Sequence, residues 1–215
     1  QNSRFWRFIL WFNQAVKKRY LTKEVGQLQE FLRDREISGS RSGDALIPIE
    51  NARSLHRFKT TSLSTKRSVL QDEATRWSAM LVQITFRKIA MPQLLSWGEP
   101  FDEHIEKYYP GLARSYLLIV NESWSHQAVS GFAQSSLRKT TPTEDHDFVL
   151  SYNAKDEVLV GQLTSRNRLY GHVLLVDRNA RIRWAANGRA DAKGLEILLK
   201  CTDDLIKEDS QSEPQ

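Results

Sequence analysis

From Ala79 onward, short apolar runs alternate with stretches whose apolar residues recur at helical spacing. Ala79 to Phe86 is apolar and β-branched enough to predict a strand, and Phe101 to Tyr109 reads as a helix closed by Pro110-Gly111. Tyr116 to Val120 predicts a short buried strand, followed by a helix between Ser125 and Arg138 and a polar turn over Thr140 to Asp147. Phe148 to Ser151 then suits a brief strand, Lys155 to Leu163 a helix, and His172 to Val176 another strand. Asp177-Arg178-Asn179-Ala180 supplies turn chemistry, with Asn179 able to take a left-handed backbone, so a hairpin follows. In its second strand Ile182 and Trp184 alternate with Arg181 and Arg183, which predicts one apolar face and one face of guanidinium groups. Asn187-Gly188 turns the chain into a last helix capped by Asp191, with Leu195, Leu198, Leu199, Thr202 and Leu205 at core-facing positions.

That order of elements is the order of a thioredoxin-like fold: parallel strands joined by crossovers, then an antiparallel hairpin and a covering helix. The expected class is α/β, a thioredoxin-like mixed sheet with flanking helices. The preceding residues have a different pattern. Phe5-Trp6-Arg7-Phe8-Ile9-Leu10-Trp11-Phe12 is apolar at seven of eight positions, and Lys17-Lys18-Arg19 follows within two helical turns. A second helix is expected from Lys23 to Glu36, capped by Thr22, before the Ser/Gly stretch Ser38 to Asp44. The organisation read from this is a helical, basic N-terminal extension and linker over residues 1–45, the thioredoxin-like domain over 46–208 and a polar tail over 209–215.

Charge sharpens the contrast. The 215 residues carry +5, yet residues 1–23 hold six cations and no acid, so the other 192 sum to -1 by difference. Aromatic rings beside an acid-free cationic cluster are the residue types of an interfacial helix, and also of an organelle targeting region. Trp6, Phe8, Trp11, Phe12, Lys17, Lys18 and Arg19 are the candidate membrane contacts; packing of the same helix onto protein is the alternative. Purely apolar runs such as Leu117 to Val120 and Val173 to Val176 are far below the roughly 20 residues that a spanning helix needs. Aromatic residues are sparse among the cations of residues 39–68, so nucleic acid is not an expected partner.

The chemistry of catalysis is missing where the fold would place it. Thioredoxin-like enzymes need a thiolate just after the first core strand, and here the segment reads Thr85-Phe86-Arg87-Lys88-Ile89-Ala90-Met91-Pro92. The one cysteine, Cys201, is expected toward the C-terminal end of the last helix, where the dipole disfavours a thiolate. The five histidines stand far apart, with no second ligand at metal spacing. No catalytic residue, metal or cofactor is expected.

Leu137-Arg138-Lys139-Thr140-Thr141-Pro142, the pair Asn167 and Gly171, and above all Gly171-His172-Val173-Leu174-Leu175-Val176-Asp177 with Ile182-Arg183-Trp184-Ala185 and Gly188-Arg189-Ala190 resemble one family. It is the mitochondrial ATP synthase assembly factor often called the ATP-ten family, and the resemblance covers about residues 77 to 206. The resemblance implies a peroxiredoxin-like thioredoxin fold without peroxidase chemistry. It also implies a non-catalytic chaperone for a hydrophobic proton-channel subunit of the membrane-embedded Fo sector, held peripherally on the matrix side of the mitochondrial inner membrane. A structural subunit of a large mitochondrial assembly, ribosomal or respiratory, is the alternative. The residues singled out for a partner or for the motif are Arg138, Asn167, Gly171, Asp177, Arg183, Trp184 and Gly188. Gly171 and Gly188 are expected to serve backbone geometry, Asp177 the turn and Trp184 the core, with Arg138, Asn167 and Arg183 the ones to meet a buried group or a partner.

Overall fold

The computed structural model describes residues 41–121, 137–139, 141–153, 157–163 and 169–212. The helix expected from Lys23 to Glu36, all seven candidate membrane contacts, Asn167 and most of the helix expected between Ser125 and Arg138 lie outside the described residues.

Eight strands form one sheet in the order β1-β8-β7-β4-β5-β6-β2-β3. They are β1 (Arg53–Ser54), β2 (Lys59–Ser62), β3 (Arg67–Val69), β4 (Ala79–Thr85), β5 (Ala113–Asn121), β6 (Val149–Asn153), β7 (His172–Asp177) and β8 (Arg181–Asn187). β4 pairs in parallel with β5, and β5 with β6; every other pairing is antiparallel. The described helices are α1 (Leu70–Ala74), α2 (Met91–Tyr108), α3 (Glu157–Gln162) and α4 (Ala192–Ser212). All seven residues of β4 are buried, as expected for a central strand covered on both faces. This is the expected thioredoxin-like mixed sheet with flanking helices.

α2 begins ten residues before the expected start at Phe101. Gly98 and Pro100 read as breakers, but Leu94, Leu95, Trp97, Phe101 and Ile105 make one buried stripe at three- and four-residue spacing. Burial of that stripe outweighs the one hydrogen bond that Pro100 cannot donate. Asp191 caps α4 as expected, its Oδ1 accepting from the Gly194 N–H at 2.5 Å. The helix runs on to Ser212, through the start of the stretch read as a polar tail.

The hairpin corrects two expectations. Ala180, not Asn179, takes the left-handed backbone, with φ at 56°. Asp177 organises the turn: its carbonyl accepts from the Ala180 N–H at 2.9 Å and its Oδ1 from the Arg181 N–H at 2.8 Å. The second correction concerns β8. Leu175 faces Trp184 while Val176 faces Ile182, so Arg183 is an extra residue at a bulge. The bulge shifts the phase of alternation by one. Ile182 therefore packs with Leu55, Met80 and Val176 on one face of the sheet, while Trp184 packs with Leu81, Trp97 and Leu198 on the other. Arg183, expected on the guanidinium face beside Arg181, is 3% exposed.

Residues 41–55, read from sequence as linker and domain edge, lie along the outer side of β8. Arg41 bridges to Ala186, the Ser42 N–H donates to the Ala185 carbonyl at 2.8 Å, and Arg53 pairs with Ile182. Edge N–H and C=O groups of β8 are thereby covered.

Candidate functional site

The motif residues fall into three places. At one end of the sheet, β4 ends, β7 begins and β8 ends in a single row, because Ile84 pairs with His172 and His172 with Asn187. Here Gly171 and Gly188 meet: the Gly188 N–H donates to the Gly171 carbonyl at 2.9 Å. α2 closes over both. The Gly171 N–H donates to Gln93 Oε1 at 2.8 Å, Trp97 Nε1 donates to the Gly188 carbonyl at 2.8 Å, and the Ala190 N–H donates to Ser96 Oγ at 2.9 Å. A Cβ at Gly171 would stand 2.7 Å from Leu94 Cδ2 and 3.2 Å from the Ala90 carbonyl, so glycine is required by close approach. Gly188 is required by its φ of 73°.

This is the end where the chain passes from β4 into α2, the position at which a reactive thiol would gain from a helix N-terminus. The segment offers Phe86, Ile89, Ala90 and Met91 instead. Cys201 sits elsewhere, in the middle of α4 rather than near its C-terminal end. The dipole has little effect there, since it falls off within a turn. The thiol is 2% exposed, and burial pushes its pKa up to about 11, with the Asp204 carboxylate adding to the rise. Among the described residues no group of three or more His, Cys, Asp or Glu could hold a metal ion.

At the opposite end, Asp177 and Arg183 come together, and Arg183 reaches α4. Arg183 Nη1 and Nη2 donate to the two carboxylate oxygens of Glu208 at 2.8 and 3.2 Å, and Nε donates to the Ile47 carbonyl at 2.8 Å. Asp177 Oδ2 lies 3.6 Å from Arg183 Nη1 and accepts from Arg181 Nε at 2.7 Å. One guanidinium thus ties β8 to the edge segment and to the last helix, with every face of its fork used. Trp184 packs edge-on against Trp97, centroids 5.7 Å apart, and its Nε1 donates to the Gly43 carbonyl at 3.0 Å. Arg138 stands apart from both groups, its Nε donating to the Leu63 carbonyl at the end of β2.

The structure brings Gly171 to Gly188, and Asp177 to Arg183; it leaves Arg138 distant. The residues that sequence reading missed are the ones that receive them: Gln93, Ser96 and Trp97 on α2, Ile47 on the edge and Glu208 on α4. A signal existed for three of these, since Gln93, Ser96 and Trp97 share one side of α2 once its early start is known. None existed for Ile47, which contributes only a backbone carbonyl.

A family model described as ATP10 protein matches residues 42–205. No curated protein matches the chain. Among solved structures the chain is similar to the pneumococcal exposed lipoprotein thioredoxin Etrx1 of Streptococcus pneumoniae, at 11% identity over 71% of this chain and 99% of that one, with a TM-score of 0.43. It is similar to BsSco, a member of the Sco family of cytochrome c oxidase assembly proteins, at 10% identity over 77% and 99%, with a TM-score of 0.46. A DsbF homologue from Corynebacterium diphtheriae gives 10% identity over 79% and 96%, with a TM-score of 0.44.

Proposed function

From the premise that this chain belongs to the ATP10 protein family and so has a role in ATP synthase assembly, we propose that it is a non-catalytic chaperone for the membrane-embedded Fo sector. The observation that carries the reading is the family match over residues 42–205, which spans both groups of motif residues. The client would be a hydrophobic proton-channel subunit, held through surface contacts rather than transformed. The family associates the chain with the mitochondrion; the finer reading is a peripheral position on the matrix side of the inner membrane. Two features support it. The acid-free aromatic segment has the residue types for a lipid interface, and among the described residues no helix is long and apolar enough to cross a membrane. The buried Cys201, its thiol held protonated by burial, supports assembly work without thiol exchange.

Depletion of the protein should lower assembled Fo while the soluble catalytic sector persists, read by native gel electrophoresis of detergent-solubilised mitochondria. Unchanged Fo contradicts the proposal. Stoichiometric co-sedimentation with another large mitochondrial complex through high salt would instead favour the structural-subunit alternative.

A further inference from the structure

Residues 41–54 cover the outer edge of β8, and they do so with slack. Arg41 bridges to Ala186 and Arg53 pairs with Ile182, both antiparallel. Between those two points the segment advances twelve residues while β8 advances four, whereas strands in one continuous register advance equally. The surplus forms a loop that contains the short helical turn Ile49–Asn51. No residue from 41 to 54 is buried, and Leu46 reaches the cluster around Trp97 and Trp184 only partly buried. Hydrogen bonds hold the loop down instead. The Ser42 N–H donates to the Ala185 carbonyl at 2.8 Å and the Ile47 N–H to the Arg183 carbonyl at 2.6 Å. Ser42 Oγ accepts from the Ala185 N–H at 3.1 Å, and the Gly43 and Ile47 carbonyls accept from Trp184 Nε1 and Arg183 Nε. A group of ions fastens the start of the loop to α4: Asp44 lies 2.9 Å from Lys193 Nζ and 3.3 Å from Arg41 Nε, and Asp191 lies 3.3 Å from Arg41 Nη1. The Asp44, Lys193 and Asp191 side chains are 58, 62 and 67% exposed, so water and salt screen these pairs.

We propose that residues 42–52 are a hinged strap that opens and closes over the β8 edge as one local unit while the sheet stays folded, with Arg41, Asp44, Lys193 and Asp191 as its latch. A segment with no buried side chain, held by hydrogen bonds and exposed ion pairs, belongs to the low-stability end of a folded domain. Lifting it leaves no buried charge unanswered, because Arg183 keeps both Glu208 oxygens and Asp177. Trp184 likewise keeps its edge-on packing against Trp97. Closed, the strap denies the β8 edge to any other strand. Open, it bares the Arg183 carbonyl, the Ala185 N–H and carbonyl, and the Trp184 indole N–H.

The test is native-state amide hydrogen exchange, read by NMR on the full 215-residue chain. The Ser42, Ile47 and Ala185 amides exchange about 100-fold or more faster than the slowest amides of β4. The Leu55 N–H, which donates to the Ala180 carbonyl at 2.7 Å beyond the hinge, serves as the nearby control. Lys193→Ala accelerates Ser42, Ile47 and Ala185 by one common factor of about two to five, the range of an exposed ion pair, and leaves Leu55 and β4 unchanged. Salt at about 0.5 M does the same to the unaltered chain and adds little to the variant. Strap amides that exchange at the β4 rate overturn the proposal, since the loop then opens only with the whole domain. Acceleration by Lys193→Ala confined to Ser42 overturns the single unit, and unchanged strap rates overturn the latch. Equal acceleration at Leu55 and β4 overturns both, by making Lys193 a contributor to global stability alone.

Discussion

The two ends of the sheet are built by one stretch, residues 171–190, yet they are held in opposite ways. At the Gly171 end the backbone does the work: two glycines let α2 approach, and Gln93, Ser96 and Trp97 bond main-chain groups that would otherwise be orphaned. At the Asp177 end charge does the work: a buried guanidinium reaches a helix carboxylate, a turn carboxylate and a backbone carbonyl. The difference teaches that one contiguous motif can fix two unrelated kinds of contact. Residues inside it need not form a single site.

The comparison breaks first at Arg183. Arg183→Ala should cost about 3 kcal/mol in denaturant unfolding, because it leaves the buried Asp177 carboxylate without its second cation. Glu208 is half-exposed and limits the loss. Coupling to Glu208→Ala in a double-mutant cycle should be well resolved; a loss below about 1 kcal/mol would reduce the cluster to an ordinary surface pair. Gly171→Ala should cost about 2 kcal/mol through overlap with Leu94, and the cost should shrink in a Leu94→Ala background. Additive effects would remove close approach as the reason for glycine. The smallest effect concerns Cys201, which packs in the cluster containing Trp97 and Trp184. Its folded pKa of about 11 lies above the ordinary 9.0, so the native state binds the proton more tightly. That contribution is fully present below pH 9 and is lost as pH rises toward 11. Stability should fall by about 1 kcal/mol between pH 9 and 10, and Cys201→Ala should flatten that part of the profile.

The fold was legible from Ala79 onward because its strands are short apolar runs bounded by turn chemistry. Residues 53–69 were not, since β1 and β3 are the edge strands and β2 stands beside one, where Lys59, Thr61 and Arg67 stay exposed or half-exposed and no alternation of hydrophobicity marks them. The early start of α2 was hidden by Pro100 and Gly98. At the site, the glycines were legible as backbone positions, but the environment of Arg183 was not. One bulge residue, Arg183, shifts the alternation so that Ile182 and Trp184 face opposite sides of the sheet, and no local sequence pattern announces it.

The central claim is assembly of ATP synthase without thiol chemistry, and replacement of the single cysteine tests it most directly. In mitochondria depleted of the protein, expression of the Cys201→Ala chain should restore assembled Fo to the level given by the unaltered chain. Failure of a stably folded Cys201→Ala protein to restore it, where the unaltered chain succeeds, would contradict the account.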